Sequence, residues 1–200
     1  GTHSAILLTD AGGMIVAASG DVDLVSRAKR VGARPGVSWN ERDRGTNAMG
    51  TALVEKTPVV VHGNQHYLAA NSIFSCAAAP VFDPSGEILG TLDLSGDSRV
   101  FQPHALSLVR MSVQLIENHL FARFFPEGLH LRFHARPEFI GTLCEGLVAI
   151  GGEGRVLAAN RAALVQLGLT LPQIQKCSVT ELCDIRFEDF LTMFRSATGA

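Results

Sequence analysis

Apolar residues in the first half of this chain fall into short runs that are separated by turn-forming residues, a pattern typical of strands. The turn sequences Asp10-Ala11-Gly12-Gly13 and Asp83-Pro84-Ser85-Gly86 each lie between two such runs, and each predicts a hairpin. The predicted strands are Ser4 to Thr9, Met14 to Ala18, Val59 to Val61, Cys76 to Phe82 and Ile88 to Leu94.

Helical periodicity is found between the two hairpins. Asp21 is a suitable N-cap for a helix that ends near Val31. Thr46 or Asn47 is a suitable cap for a second helix, through about Glu55. The first part of the chain is thus predicted to contain both a sheet and helices.

The longest predicted helix begins at Pro103 and ends near Phe125, before Pro126. Its apolar residues recur at spacings of three and four, like the seam of a coiled coil. We interpret the seam as a homodimer interface; the alternative is a stripe that packs on the sheet, since helix–strand cores have the same spacing. Leu108 and Leu115 lie off the seam and can face the sheet. The predicted dimer contacts are Leu106, Val109, Val113, Ile116 and Leu120.

The pattern changes after the long helix and predicts a second domain. We assign residues 1–125 to the first domain, including the helix, residues 126–137 to a linker and residues 138–200 to the second domain. The second domain has two predicted strands, then a helix capped by Asn160. Because no closing strands follow, we expect half a domain, and hence a fragment of a longer protein. The two strands are Gly146 to Ile150 and Arg155 to Ala158.

Composition narrows the function classes. Lys and Arg number 17 against 19 Asp and Glu, so the chain lacks the basic surface that nucleic-acid binding requires. No phosphate-binding Gly-x-x-x-x-Gly-Lys-Ser/Thr sequence occurs. No apolar run reaches the roughly 20 residues of a membrane span, so no membrane association is expected. The four cysteines show no CxxC spacing, which favours a reduced, cytoplasmic setting.

Polar, aromatic and histidine side chains are concentrated between the two hairpins, over residues 39–76. A few polar groups that converge on an otherwise apolar pocket are typical of small-molecule sites. We therefore expect a pocket in this part of the chain. Its predicted ligand-binding residues are Trp39, Glu41, Asn47, Thr51, His62, His66, Tyr67, Phe74 and Cys76.

For several of these side chains a structural role is an open alternative. Trp39 and Phe74 could belong to the hydrophobic core. Asn47 could act as a helix cap, with Thr51 packing one turn later. Glu41 lies in a charged sequence and could be in a solvated loop.

The histidines and Cys76 raise the question of metal or redox chemistry. His62 and His66 are four residues apart, but Gly63 and Asn64 between them favour a loop, and no fourth ligand is evident, so no metal is predicted. One histidine is instead expected to donate a hydrogen bond to a ligand. Cys76 is expected to be a small buried hydrophobe, with a reactive thiol activated by His66 as the alternative. Because nothing resembles a catalytic triad or a paired acid and base, no enzyme activity and no cofactor are predicted.

Several short segments resemble a known family in their order and spacing. With them, residues 4–123 resemble the GAF domain of bacterial sigma-54-dependent activators of the acetoin- and dihydroxyacetone-catabolism regulator type. The segments are Pro35-Gly36 with Trp39, Gly45 to Leu53, Pro58-Val59, His66-Tyr67, Cys76-Ala77-Ala78-Ala79-Pro80, Asp83-Pro84 with Gly86, and Leu92-Asp93-Leu94. Three later segments resemble the start of a PAS domain, namely Gly141-Thr142-Leu143, Glu145-Gly146-Leu147 and Asn160-Arg161-Ala162.

The resemblance implies an α+β fold: a GAF domain with an antiparallel sheet flanked by helices, a long connecting helix and a partial PAS domain. Together they would form a regulatory sensor. It implies that the whole protein contacts sigma-54 RNA polymerase and DNA only through domains absent from this chain. It also favours a small hydroxyketone or diol as the effector. Two rival hypotheses are a GAF–PAS module that binds a protein partner and no small molecule, and a redox enzyme built on Cys76.

Overall fold

The computed structural model describes residues 3–100, 102–186 and 188–192. The chain divides into two compact units. The first consists of Gly1–Asp83 with Glu87–Ile116, and the second of Pro84–Gly86 with Glu117–Ala200. The end of the predicted second domain, residues 193–200, lies outside the described residues.

The first unit is built on a five-stranded antiparallel sheet with the strand order β2-β1-β5-β4-β3. All five strands were predicted from the sequence, and the structure extends most of them by one to three residues. Their bounds are β1 Ser4–Asp10, β2 Ile15–Gly20, β3 Val59–His62, β4 Phe74–Phe82 and β5 Ile88–Asp97.

The pairing of β4 with β5 decides which side chains share a face of this sheet. Cys76 lies opposite Ser95, and Ala78 lies opposite Asp93. Because successive side chains point to opposite faces, Ala77 and its neighbour Leu94 lie on the other face. One face therefore brings a thiol, a hydroxyl and a carboxyl together, although Cys76 is 19 residues from Ser95 and 17 from Asp93 along the chain.

Three helices lie between β2 and β3 along the chain, namely α1 Val22–Arg30, α2 Glu41–Arg44 and α3 Ala48–Glu55. Asp21 caps α1 and Asn47 caps α3, as predicted. Apolar side chains of α1 and α3 cover the polar-containing face of the sheet, in one cluster with Leu7, Ile15 and Trp39. The short helix α2 has no buried residue.

The long helix α4, Ala105–Phe124, packs on the opposite face of the sheet. Val109 is 2% exposed and Val113 is 6% exposed, and both pack against Ala77, Ala79 and Val81. Leu106 and Ile116 are partly buried in the same cluster, and Leu120 is half-buried. Within the chain the seam is thus the stripe that packs on the sheet, so Val109 and Val113 have no surface left for a dimer partner.

The two leucines of α4 that lie off the seam do not face the sheet. Leu108 and Leu115 are exposed, together with Met111 between them. The periodicity gave the correct stripes but the wrong assignment of stripe to partner. No helix in the described part of the chain is both long and apolar enough to cross a membrane.

The second unit contains a three-stranded sheet with the order β6-β7-β8. Strand β7 has the predicted bounds, Gly146–Ile150. The segment predicted as a linker contains β6, whose residues pair with β7 from Leu129 opposite Ile150 to Phe133 opposite Gly146. The remaining elements are β8 Val156–Ala159, α5 Arg161–Leu167, α6 Leu171–Ile174 and α7 Val179–Cys183.

Polar contacts hold the start of this second unit together. Arg132 and Glu145 form a bidentate ion pair, in which Nη2 and Nε of the arginine lie 2.6 and 2.9 Å from the two carboxylate oxygens. Asn160 caps α5 and also accepts from the backbone N–H of Leu147, at 2.9 Å. Because its amide also donates to Asn118, this one side chain joins a strand, a helix and the end of α4.

Candidate functional site

A small cavity lies in the first unit between the sheet and the helices α1 and α3. Its volume is about 20 Å³, and a single water requires about 10–15 Å³. The cavity therefore has room for one or two water-sized groups, and a larger ligand enters only if the surrounding side chains move. Of the fourteen residues around it, half are apolar and seven are polar or polarisable: Trp39, Asn47, His66, Asn71, Cys76, Asp93 and Ser95.

Five of the nine predicted ligand-binding residues line this cavity, namely Trp39, Asn47, His66, Phe74 and Cys76. They come from the loop before α2, the cap of α3, the loop after β3 and the strand β4. The fold thus brings together side chains that the sequence distributes over residues 39–76.

The polar groups of Trp39 and Asn47 are used within the chain. The indole N–H of Trp39 donates to the carbonyl of Gly32 at 3.1 Å, and the Arg44 guanidinium lies 5.8 Å from the centre of the ring. Asn47 Oδ1 accepts from the N–H of Gly50, while its Nδ2 donates to the carbonyls of Trp39 and Gly45. These two residues therefore shape the wall of the cavity and have little hydrogen-bonding capacity left for a ligand.

His66 is held as a neutral side chain. Burial lowers the pKa of His66 by more than the hydrogen bond to the Gly63 carbonyl raises it, and nearby His62 lowers it further. Its Nδ1 lies 2.9 Å from that carbonyl and must donate, since a carbonyl can only accept. In the neutral ring Nε2 is then an acceptor.

A chain of hydrogen bonds links Cys76, Ser95 and Asp93 on the sheet. The Ser95 hydroxyl donates to Asp93 Oδ2 at 2.6 Å. Cys76 Sγ lies 3.0 Å from Ser95 Oγ, and because the serine proton is already used, the thiol donates. Burial raises the pKa of Asp93 to about 7, partly offset by the bond from Ser95.

The same environment keeps Cys76 unreactive. Burial raises the pKa of the Cys76 thiol well above its usual range, and the charge of Asp93 raises it further. The thiolate is the nucleophilic form of cysteine, so this thiol is a poor redox nucleophile. The environment of Cys76 argues against the redox-enzyme hypothesis.

Three buried polar atoms at the cavity have no hydrogen-bond partner among the described residues. They are Asp93 Oδ1 and both amide atoms of Asn71. Asp93 is fully buried and Asn71 is 2% exposed. Since the large majority of buried side-chain polar atoms in proteins have a partner, these three atoms around one cavity indicate a polar occupant, either water or a ligand.

Four predicted ligand-binding residues do not line the cavity. Glu41 and Thr51 hydrogen-bond to each other at 2.6 Å, which joins α2 to α3. Tyr67 is 74% exposed. His62 lies on a separate, open polar cleft beside Asn64 and Gln65.

Sequence reasoning missed Asn71, Asp93 and Ser95. Asp93 had a detectable signal, because an ionisable residue between Leu92 and Leu94 interrupts an apolar strand. Asn71 had none, since an asparagine in a polar loop is ordinary. No group of three His, Cys, Asp or Glu side chains suited to a metal ion occurs within residues 3–100, 102–186 and 188–192.

Comparison with known proteins gives a consistent picture. The profile of the GAF domain family matches residues 2–120. The acetoin catabolism regulatory protein of Cupriavidus necator is 33% identical over 81% of this chain, and the acetoin dehydrogenase operon transcriptional activator AcoR of Bacillus subtilis is 34% identical over 62%. A signal-transduction and transcriptional-control protein of Clostridium beijerinckii is 27% identical over 92%. The chain spans only 25%, 21% and 29% of these relatives, respectively.

Among solved structures, the crystal structure of the E. coli DhaR(N)–DhaL complex contains a similar chain. The TM-score is 0.61 at 18% identity, and the match covers 90% of this chain and 62% of that one. At this identity the likeness concerns the fold alone. The predicted antiparallel sheet flanked by helices is thereby confirmed.

Proposed function

The chain belongs to the GAF domain family, and from this membership we propose that it is the sensor region of a transcriptional activator, with the cavity of the first unit as the effector site. The observation that supports this most directly is the buried cavity with unpartnered polar atoms of Asn71 and Asp93. The names of the relatives describe regulators and not enzymes, which agrees with the inert environment of Cys76.

The proposed effector is a small hydroxyketone or diol. Two relatives are named for acetoin catabolism or an acetoin operon, and acetoin is a hydroxyketone. The cavity is small, and the described residues that line it include no Lys or Arg to neutralise an anion. Both features favour a small, uncharged metabolite.

The signal is proposed to leave the cavity through the sheet and α4. Asp93 faces the cavity, and the next residue, Leu94, packs against the same cluster as Val109 and Val113 on the opposite face. An effector that favours one of two packings of this cluster shifts the population of α4 positions. The second unit, proposed as a partial PAS domain, contains the last residues of α4.

Contacts with sigma-54 RNA polymerase and DNA are proposed to belong to parts of the full protein outside residues 1–200. The relatives are several times longer than this chain. Within the chain, the sequence has no phosphate-binding loop and no excess of basic residues.

A thermal-unfolding screen of the 200-residue chain tests the effector site. Ligands that bind only the folded state raise its stability, by about 2.7 kcal/mol at a hundredfold excess over the dissociation constant. We expect a saturable rise in Tm with small hydroxyketones or diols. The rise should persist in Tyr67→Ala, an exposed position outside the cavity, and weaken in His66→Ala.

The second candidate function is a module that binds a protein partner. The similar solved structure is described as a complex of two proteins, and α4 exposes Leu108, Met111 and Leu115. If no class of metabolite in the screen raises the Tm of a chain that unfolds cooperatively, this candidate is favoured.

The homodimer also stays a proposal. The part of α4 available to it is this exposed stripe and not the buried seam. Loss of a dimer in Leu115→Glu by sedimentation analysis supports that interface, and an unchanged mass excludes it.

A further inference from the structure

We infer that Asn71 and Asp93 form the contact points for the ligand in the first unit and select an uncharged molecule with adjacent oxygen atoms, at least one of them a hydroxyl. The inference rests on the proposed effector site and adds its chemistry. It assigns ligand recognition to two residues outside the nine that the sequence predicted.

Both side chains are buried, and each has at least one polar atom with no hydrogen-bond partner among the described residues. Ser95 donates to Oδ2 of Asp93 and so leaves Oδ1 to the cavity. Asn71 ends a short 3-10 turn, Ala69–Asn71, whose backbone orders the loop while both amide atoms of its side chain have no partner among the described residues. Both residues line the same cavity.

The balance of donors and acceptors defines the ligand. Asp93 Oδ1 in its ionised form, Asn71 Oδ1 and neutral His66 Nε2 are acceptors, and Asn71 Nδ2 supplies two N–H groups. A ligand must bring hydroxyl protons to the acceptors and an oxygen to the amide. A diol or a hydroxyketone does both, whereas a simple ketone offers no donor.

Charge excludes a different class. Asp93 is ionisable and fully buried, and no Lys or Arg is among the described residues that line the cavity. A carboxylate ligand would place a second negative charge beside Asp93 in a region of low dielectric. Short organic acids should therefore be rejected, although they match hydroxyketones in size.

The test measures, at pH 8 so that Asp93 is ionised, the binding of four probes of five or six non-hydrogen atoms to the 200-residue chain: propane-1,2-diol, hydroxyacetone, butanone and lactate. We expect the diol or hydroxyacetone to bind at least about tenfold more tightly than butanone and lactate, which corresponds to the loss of one good hydrogen bond. Calorimetry or ligand-observed NMR gives the affinities.

Two variants assign the contacts. Asn71→Leu removes both amide atoms without breaking a hydrogen bond within the described structure, and Asp93→Asn keeps the shape but removes the charge. Each should weaken binding of the preferred probe at least about tenfold. The control Asn64→Leu makes the same substitution on the open cleft and should bind as the unaltered chain does.

The outcomes separate this inference from the proposed function. If lactate binds as tightly as the diol, or if both variants bind like the unaltered chain, the inference fails while the effector site stands. If none of the four probes binds, the inference also fails, and the unpartnered atoms of Asn71 and Asp93 bind water instead. The effector proposal is then decided by the wider screen of metabolite classes.

Discussion

At the scale of single residues, Asp93 shows how strongly the fold changes a side chain. In sequence it is one aspartate among several, but β-sheet pairing places it opposite Ala78 with no exposed surface. Burial raises its pKa from 3.8 to about 7. A carboxyl group that titrates near neutral pH in a cavity is a feature more typical of functional sites than of structural ones.

The raised pKa of Asp93 predicts how stability depends on pH. Between pH 3.8 and about 7 the folded chain holds a proton that the unfolded chain has released. The free energy of unfolding should therefore fall as pH rises through this window, by up to about 1.4 kcal/mol per pH unit from this group. The contribution is fully present below the unfolded value and is lost above about pH 7.

Urea unfolding of the unaltered chain and of Asp93→Asn at several pH values checks this. The variant should gain stability relative to the unaltered chain as pH rises from about 5 to about 8. His66 has the opposite effect, because its lowered pKa makes stability fall as pH drops below 6.5, but it is common to both chains and cancels in the difference. A difference that is constant with pH would show that Asp93 is already paired or ionised in the folded state.

Asn47 gives a second residue-scale prediction. Asn47→Ala removes the cap of α3 and two buried donors, and should lower the free energy of unfolding by about 2–3 kcal/mol. Asn47→Asp keeps the cap acceptor but places a carboxylate against the carbonyls of Trp39 and Gly45, so it should be no more stable than the alanine variant. Chemical denaturation compares the two. Full stability of the aspartate variant would mean that the cap bond alone matters.

At the scale of elements, close packing of α3 sets the shape of the cavity wall. Gly50 lies where α3 meets the segment before α2, and a Cβ there would lie 2.6 Å from the Trp39 carbonyl and 2.5 Å from the Glu41 nitrogen. Backbone atoms cannot move aside as side-chain ends do. A residue without a side chain is therefore required at this crossing.

Gly50→Ala should lower the free energy of unfolding by about 2–3 kcal/mol, although alanine is the better helix former by about 1 kcal/mol. The matched control is Gly152→Ala, where a Cβ has no neighbour within 4 Å, and its effect should stay within about 0.5 kcal/mol. Equal effects of both changes, measured by urea unfolding, would contradict this account of α3.

The helix α4 gives the second prediction at this scale. Val113 is 6% exposed in the core of the first unit and Leu115 is 56% exposed. Val113→Ala should cost about 2 kcal/mol in stability, whereas Leu115→Ala should change it by less than about 0.5 kcal/mol. Thermal unfolding at low protein concentration checks the pair, since dilution removes any stabilisation by association. If Leu115→Ala were more destabilising than Val113→Ala, the seam would lie on the exposed side of α4.

At the scale of the whole molecule, the net charge of this chain argues against DNA binding. Its net charge is −2, and binding to DNA depends on Lys and Arg that displace counterions from phosphates. We expect no binding of duplex DNA to the 200-residue chain at physiological salt, by fluorescence anisotropy. Binding that weakens with added salt would reveal a basic surface that the composition does not indicate.

Some of the site was predictable and some was not. Trp39, His66 and Cys76 were identifiable because aromatic, imidazole and thiol groups are rare and their sequence context is distinctive. Asn71 became a candidate only because the fold buries it with no partner among the described residues, and burial depends on contacts distant in sequence. Tyr67 and His62 share the same polar segment but lie outside the cavity, since neighbours in a loop point in different directions.

The sequence by itself determined the strands, the turns and caps, and membership of the GAF family, because these depend on local periodicity, turn chemistry and short motifs. Only the tertiary structure decided what each apolar stripe of α4 packs against and which polar groups remain unpaired. The physical reason is that these contacts join residues that are distant in sequence, whereas periodicity, turns and caps are local. Apolar residues spaced by three and four give a helix an apolar face, but they do not determine which surface packs against it. Likewise, only the pairing of β4 with β5 brings Cys76 next to Ser95 and Asp93.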